Sequence, residues 1–357
     1  MINKTLLDFL CKETSWEDLG NQNLLHELPE FGKSVGDSIN EGTLIPFTSE
    51  LSDLLEKMDI YKASLLSNFI GFACEKENNT CSGRGVITLF ARACTNVYDL
   101  FQRLEADGDE KLPDGRKEIF EKNPDQARAY EGFNILCIST MAFLSRDASL
   151  RDFLSELEIS EQIQYLSEET EDSPYLQSIH YIYRMLDTCS DYKFLVLHPQ
   201  KKTGFFATAN DLNNCFHLLF LLEEQIYEQL RDQYDMQAFY ANESLSRLAH
   251  GEYPKDCWNA SYATYFTECN YGAAFVEKFD NSTATSLIWG EMPPEYIPQI
   301  DGRGIIVLFD NGLNRSFSPQ FLASPHDALR PYVEIERELT DEEYKAWMDK
   351  IKVLLEA

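Results

Sequence analysis

Three features of the sequence predict a predominantly α protein with a smaller α+β region at its C-terminal end. Apolar residues recur at spacings of three and four from Thr48 to about Leu230, which is the signature of amphipathic helices. From about Asp235 the composition shifts towards Gly, Pro, Asn and aromatic residues, with short β-type runs between turn signals. An apolar fraction of 44%, with 23 Phe and 18 Tyr, supplies packed interiors. At 357 residues the chain exceeds the usual size of one core. The expected division is a mainly helical domain over 1–234, with one β-hairpin near 193–208, and an α+β domain over 235–357. The first would be a helical bundle or irregular helical stack, since no residue pattern recurs at the fixed period of a repeat array. The second would be a short-stranded sheet module.

The helical reading starts with Thr48-Ser49-Glu50 as a cap before Leu51, Leu54, Leu55 and Met58, with a break near Asp59. Leu65, Leu66, Phe69, Ile70 and Ala73 form the next stripe, ending in a polar loop over 75–80. The clearest stripe is Val86, Leu89, Phe90, Ala93, Val97, Leu100, Phe101 and Leu104, with Arg92, Asn96 and Asp99 off it. Gly83 and Gly85 are expected to form the loop that opens that helix. After a loop rich in Asp, Gly and Pro, Pro124 takes the first position of another helix. Shorter helices are expected over 150–157 and 159–166, and one opening at Ser173-Pro174. Residues 193–198 and 204–208 read as strands joined by a five-residue connection, after which Asp211 caps a long helix through Ile226 and Leu230. Strand candidates in the last region are 285–289, 304–309 and 332–336, with Asp301-Gly302 as the turn feeding the second. Thr340 and Glu343 form a capping box before Tyr344, Trp347, Ile351 and Leu354.

Charge restricts the partners. With 31 basic and 60 acidic residues the formal charge is −29, a field that repels phosphate backbones and attracts basic proteins. Nucleic acid is therefore not an expected partner. Asp8 interrupts the first ten residues before they reach signal-peptide length. The longest apolar stretch, 216–222, runs directly into Glu223 and Glu224, so no membrane association is expected either. Nine scattered cysteines read as reduced thiols, and together these features suggest a cytoplasmic location.

Known motifs fail on particular residues. The stretch Asp107 to Glu118 carries carboxylates at the first, third and twelfth positions of a calcium loop, but Lys111 and Leu112 stand where an oxygen ligand and glycine are required. Cys74 and Cys81, and Cys257 and Cys269, are too far apart for a zinc pair, so no metal or cofactor is expected. The glycines near 83 and 302 lack the Lys-Ser/Thr of a phosphate loop, and no Gly-x-Ser-x-Gly elbow occurs. His180 and His217 fall within helices, and His326 at a helix start.

Two stretches stand out as contact surfaces. One is the Pro-rich segment carrying Trp289, Glu291, Glu295 and Arg303, read either as a stiff crossover or as a binding edge. The other is the acidic run Glu168, Glu169, Glu171 and Asp172, either a solvated face or a docking patch for a basic partner. The leading expectation is a non-enzymatic interaction protein, of the immunity or antitoxin-like kind that neutralises a basic protein. A carboxylate-based hydrolase, with Glu291, Asp301 and His326 meeting in the fold, is the alternative from a different class; a scaffold subunit is the third. The oligomeric state and the partner's identity are open at this level.

Overall fold

The computed structural model describes residues 4–106, 116–168, 176–236, 239, 242–310 and 313–357. The chain divides into two compact units, 1–186 and 187–357. This boundary lies well before residue 234, where the composition changes. The reason is the hairpin at 192–210, whose strands pair with others near 303 and 332 and so belong to the second unit.

Among its described residues the α-helices of unit 1 are α1 (Lys4–Cys11), α2 (Pro29–Asn40), α3 (Leu44–Ser52), α4 (Ile60–Glu77), α5 (Gly83–Ala106), α6 (Arg116–Lys122), α7 (Pro124–Leu144), α8 (Ala148–Glu156), α9 (Ser160–Glu168) and α10 (Ile179–Leu186), and it has no strand. The predicted stripe of α5 is its buried face: Val86, Leu89, Phe90, Ala93, Val97 and Leu100 are sealed from solvent. Phe90 stacks on Phe133 of α7 at 5.8 Å. Helices α4 and α7 meet through small residues. A Cβ on Gly71 would sit 3.2 Å from the Ser139 Cα, one on Gly132 would sit 2.7 Å from Ser64, and Ser67 donates to Ser139 at 3.0 Å. Because Ser64 faces Gly132 and Gly71 faces Ser139, the two helices run in the same direction.

At the break expected near Asp59, the Asp59 side chain caps α4, accepting from the Lys62 amide at 3.1 Å, and it is buried. It also accepts from the Thr14 amide at 3.1 Å and lies 3.6 Å from Arg128 Nε, so one carboxylate ties a helix start to an N-terminal loop and to α7. Thr48, by contrast, is no cap. Helix α3 begins four residues earlier, with Pro46 tolerated in its first turn, and the Thr48 hydroxyl donates to the Ile45 carbonyl inside it. The loop that resembles a calcium site and the opening at Ser173-Pro174 lie outside the described residues, apart from residues 116–118 in α6.

Unit 2 is a layered α+β structure, as expected of the C-terminal region. Its elements are β1 (Tyr192–His198), β2 (Thr203–Asn210), α11 (Cys215–Gln225), α12 (Glu243–Ala249), β3 (Tyr262–Ala263), β4 (Phe266–Cys269), β5 (Gln299–Ile300), β6 (Arg303–Asp310), β7 (Ser316–Phe317), β8 (Tyr332–Glu338) and α13 (Asp341–Glu356). The main sheet has the order β4-β6-β1-β2-β8, with β5 also on β6, and β3 pairs with β7 separately. Strands β1 and β6 are parallel; the other pairs are antiparallel. Phe194, Val196, Phe205, Ile306 and Leu308 face one layer with α11, whereas Leu195, Leu197, Phe206, Val307 and Phe309 face the other with Trp347, Met348 and Ile351 of α13. Covering both faces explains why β1 and β6 are nearly continuous apolar runs. The Asp301-Gly302 turn joins β5 to β6 with φ of 53° and 72°, the left-handed pair favoured in two-residue hairpins.

Several local expectations are revised. Thr203 belongs to β2, leaving four residues between β1 and β2. Asn214 caps α11 by accepting from the His217 amide, while Asp211 accepts from the Arg330 amide. Residues 285–289 form no strand: 284–286 make a 3₁₀ turn and Leu287 contributes a single bridge to Cys269. His326 lies in a turn, not a helix. The capping box at Thr340 and Glu343 is present at the start of α13.

Candidate functional site

The Pro-rich segment of unit 2 is rigidly held. The carbonyls of Met292 and Gly290 accept from the Cys215 and Phe216 amides at 2.9 and 2.8 Å, so the loop satisfies the first free N–H groups of α11. Gly290 lies flat on the Phe216 ring; any Cβ there would come within 2.3 Å of it. Pro293, Pro294 and Pro298 limit the backbone further, and the Tyr296 and Ile297 amides close a 3₁₀ turn onto Pro293 and Pro294.

From this fixed backbone two rings project into water. Trp289 is 68% exposed and Tyr296 is 69% exposed, and Glu291 and Glu295 are exposed beside them in sequence. Large aromatic side chains held in place outside the core are the anchors from which protein interfaces draw most of their affinity. Of the sequence-predicted residues, Trp289, Glu291 and Glu295 therefore share one loop. Arg303 does not join them: its guanidinium lies over the Phe206 ring at 4.5 Å and 3.8 Å from Glu336, on the α13 face of the sheet. Glu168 ends α9 in unit 1 and is exposed; Glu169, Glu171 and Asp172 lie outside the described residues.

The residues proposed for hydrolysis engage separate partners. Asp301 pairs with Lys350 on α13, whereas His326 Nδ1 takes the Ala328 amide at 3.0 Å and lies 3.2 Å from Asp327. Glu291 stays on the exposed loop.

Two ionisable clusters that sequence reasoning missed lie inside unit 2. At the ends of β1 and β6, His198 Nε2 sits 3.1 Å from Asp310 Oδ1, and Lys201 joins Asp310 at 3.8 Å and pairs with Asp235. Burial pulls the His198 pKa down against the opposing pull of Asp310. The imidazole is fully buried, edge-on to Tyr234 and Phe266.

The second cluster joins α11 to β4. Glu223 Oε1 accepts from the Tyr265 and Phe266 amides at 2.7 and 2.8 Å, and its other oxygen meets the Tyr262 hydroxyl. Glu268 pairs with Arg315, which also donates to the Ile288 carbonyl. Burial first, and then the charge of Glu268, pushes the Glu223 carboxyl well above the usual carboxylate range; Glu268 is also raised by burial, with Arg315 opposing. Neither carboxylate is exposed. The sequence carries only a faint sign of Glu223, the apolar stretch 216–222 that covers every side of the helix leading to it.

In unit 1 a small polar cavity of about 280 Å³ is lined by Arg92 and Arg128 together with Asp59, Asp125, Glu13 and Asn96. Arg128 is already engaged there by Glu13 and Asp125, both at 3.1 Å. Among the described residues no group of three or more His, Cys, Asp or Glu side chains is placed to hold a metal ion, and all nine cysteines are free. Comparison with protein-family models, with curated proteins and with solved structures yields no match to this chain.

Proposed function

We propose that the protein is a non-enzymatic, cytoplasmic binder of a basic protein partner, in the manner of an immunity or antitoxin-like protein. The observation that carries this reading is the pinned loop of unit 2, which holds Trp289 and Tyr296 about two-thirds exposed next to Glu291 and Glu295. A backbone fixed in this way loses little conformational freedom on binding, and flanking carboxylates select a cationic surface. The charge of −29 acts at longer range, raising the encounter rate with a basic protein. Among the described residues no helix is long and apolar enough to cross a membrane, which accords with a partner met in solution.

The test is a pull-down against basic proteins, starting with those encoded beside it, at low and moderate salt, with wild type and the W289A/Y296A variant side by side. Support requires a salt-sensitive complex that the double variant loses while keeping its folded spectrum. Equal capture by both forms, or no complex with any basic protein, overturns the reading.

A further inference from the structure

A cavity of about 750 Å³ opens in unit 2 between the β1–β2 turn, residues 274–277 and the first half of α13. Its volume falls within the roughly 300–1,000 Å³ of small-molecule sites. The walls are apolar: Phe275, Val276, Tyr344 and Met348 line it, and the Phe275 ring is 49% exposed. Four charged side chains, Lys202, Lys345, Glu277 and Asp341, stand among these residues.

The balance of those charges is informative. Neither Lys202 nor Lys345 has an ion-pair or hydrogen-bonding partner among the described residues, in a chain whose acids outnumber its bases by 60 to 31. Asp341 belongs to the first turn of α13 with Glu342 and Glu343, where the partial positive charge of the helix start offsets part of its charge. That leaves two unpaired ammonium groups against Glu277 and a partly offset Asp341. We propose that this cavity binds a small molecule with an apolar body and a single anionic head, such as a medium-chain or aromatic carboxylate. The body is removed from water against Phe275, Val276, Tyr344 and Met348, and the head sits between Lys202 and Lys345. This site uses none of the residues of the Trp289 loop and stands independently of the binder reading.

Calorimetric titration of the full chain with decanoate, and with decylamine as the probe of equal body and opposite charge, tests the assignment. The wild type is expected to bind one decanoate and to take up decylamine at least about tenfold more weakly. The exposed double variant K202Q/K345Q should weaken decanoate by about tenfold or more while leaving the fold intact, and M348W, which fills the cavity, should abolish binding. Three results overturn the proposal: no decanoate binding to the wild type, decylamine binding equally well, or decanoate affinity unchanged in K202Q/K345Q. Should M348W fail to fold, the lysine variant and the paired probes still decide.

Discussion

His198 Nε2 lies 3.1 Å from Asp310 Oδ1, joining the last residues of two parallel strands, β1 and β6. A carboxylate only accepts, so Nε2 carries the proton and Nδ1, buried with no hydrogen-bonding partner among the described residues, is bare. Protonating Nδ1 would place a charged donor without an acceptor inside unit 2. The native pKa is accordingly below the ordinary value of about 6.5, and the unfolded chain binds more protons between the two values. The resulting stability is complete above about pH 6.5 and is lost as the pH falls, by at most about 1.4 kcal/mol per pH unit. In H198Q, which can still donate to Asp310, this acid-dependent loss should disappear. Urea unfolding of both forms between about pH 7.5 and pH 5 checks it; an equal slope in H198Q would count against the assignment.

Glu223 should show the opposite sign. Its native pKa is raised above the ordinary 4.5, so the folded state holds a proton that the unfolded chain releases, and stability declines as the pH rises above about 4.5. Gln at this position keeps an oxygen for the Tyr265 and Phe266 amides and removes the titration. E223Q is expected to equal or exceed the wild type in thermal stability near pH 8 and to lose that advantage near pH 5. A deficit of the same size at both pH values would show that the carboxyl is ionised in the fold.

Two helix caps separate a local role from a tertiary one. Asn242 caps α12 by accepting from the Leu245 amide at 2.8 Å, and N242A should cost about 1 kcal/mol. Asp59 caps α4 and also faces the buried Arg128 and Lys62, so D59A strips buried cations of a countercharge and should cost roughly 3–5 kcal/mol. Chemical unfolding of each variant reads the difference.

Glycine substitutions test the packing of unit 1. A Cβ on Gly85 would lie 2.5 Å from the Ser52 carbonyl oxygen, which is main chain and cannot swing aside. G85A should therefore lose about 1–3 kcal/mol. Gly36, in α2, has open space around its Cα, and G36A should gain up to about 1 kcal/mol through helix propensity. A neutral G85A would mean that α3 and α5 separate easily.

The sequence made legible those elements whose local signals agree with their burial. The α5 stripe, the break near Asp59, the Asp301-Gly302 turn and the Thr340 box all follow from spacing, turn or capping chemistry within a few residues. The unit boundary did not, because β1 and β2 find their partners more than 90 residues further along the chain, and no local pattern encodes pairing at that range. Strand β4, Phe-Thr-Glu-Cys, was hidden by Glu268, a carboxylate that reads as surface and is buried only because Arg315 comes back to meet it. Of the candidate contact residues, Trp289, Glu291 and Glu295 occupy one exposed loop because its prolines and glycine fix it locally. Arg303 departs from them because strand alternation sends its side chain to the opposite face.

Binding through the Trp289 loop is the central claim, and the affinity of its double variant tests it most directly. Calorimetric titration of wild type and W289A/Y296A with the same basic partner should show a loss of about 2 kcal/mol or more, with both forms unfolding at the same denaturant concentration. Equal affinities in the two titrations would contradict the account.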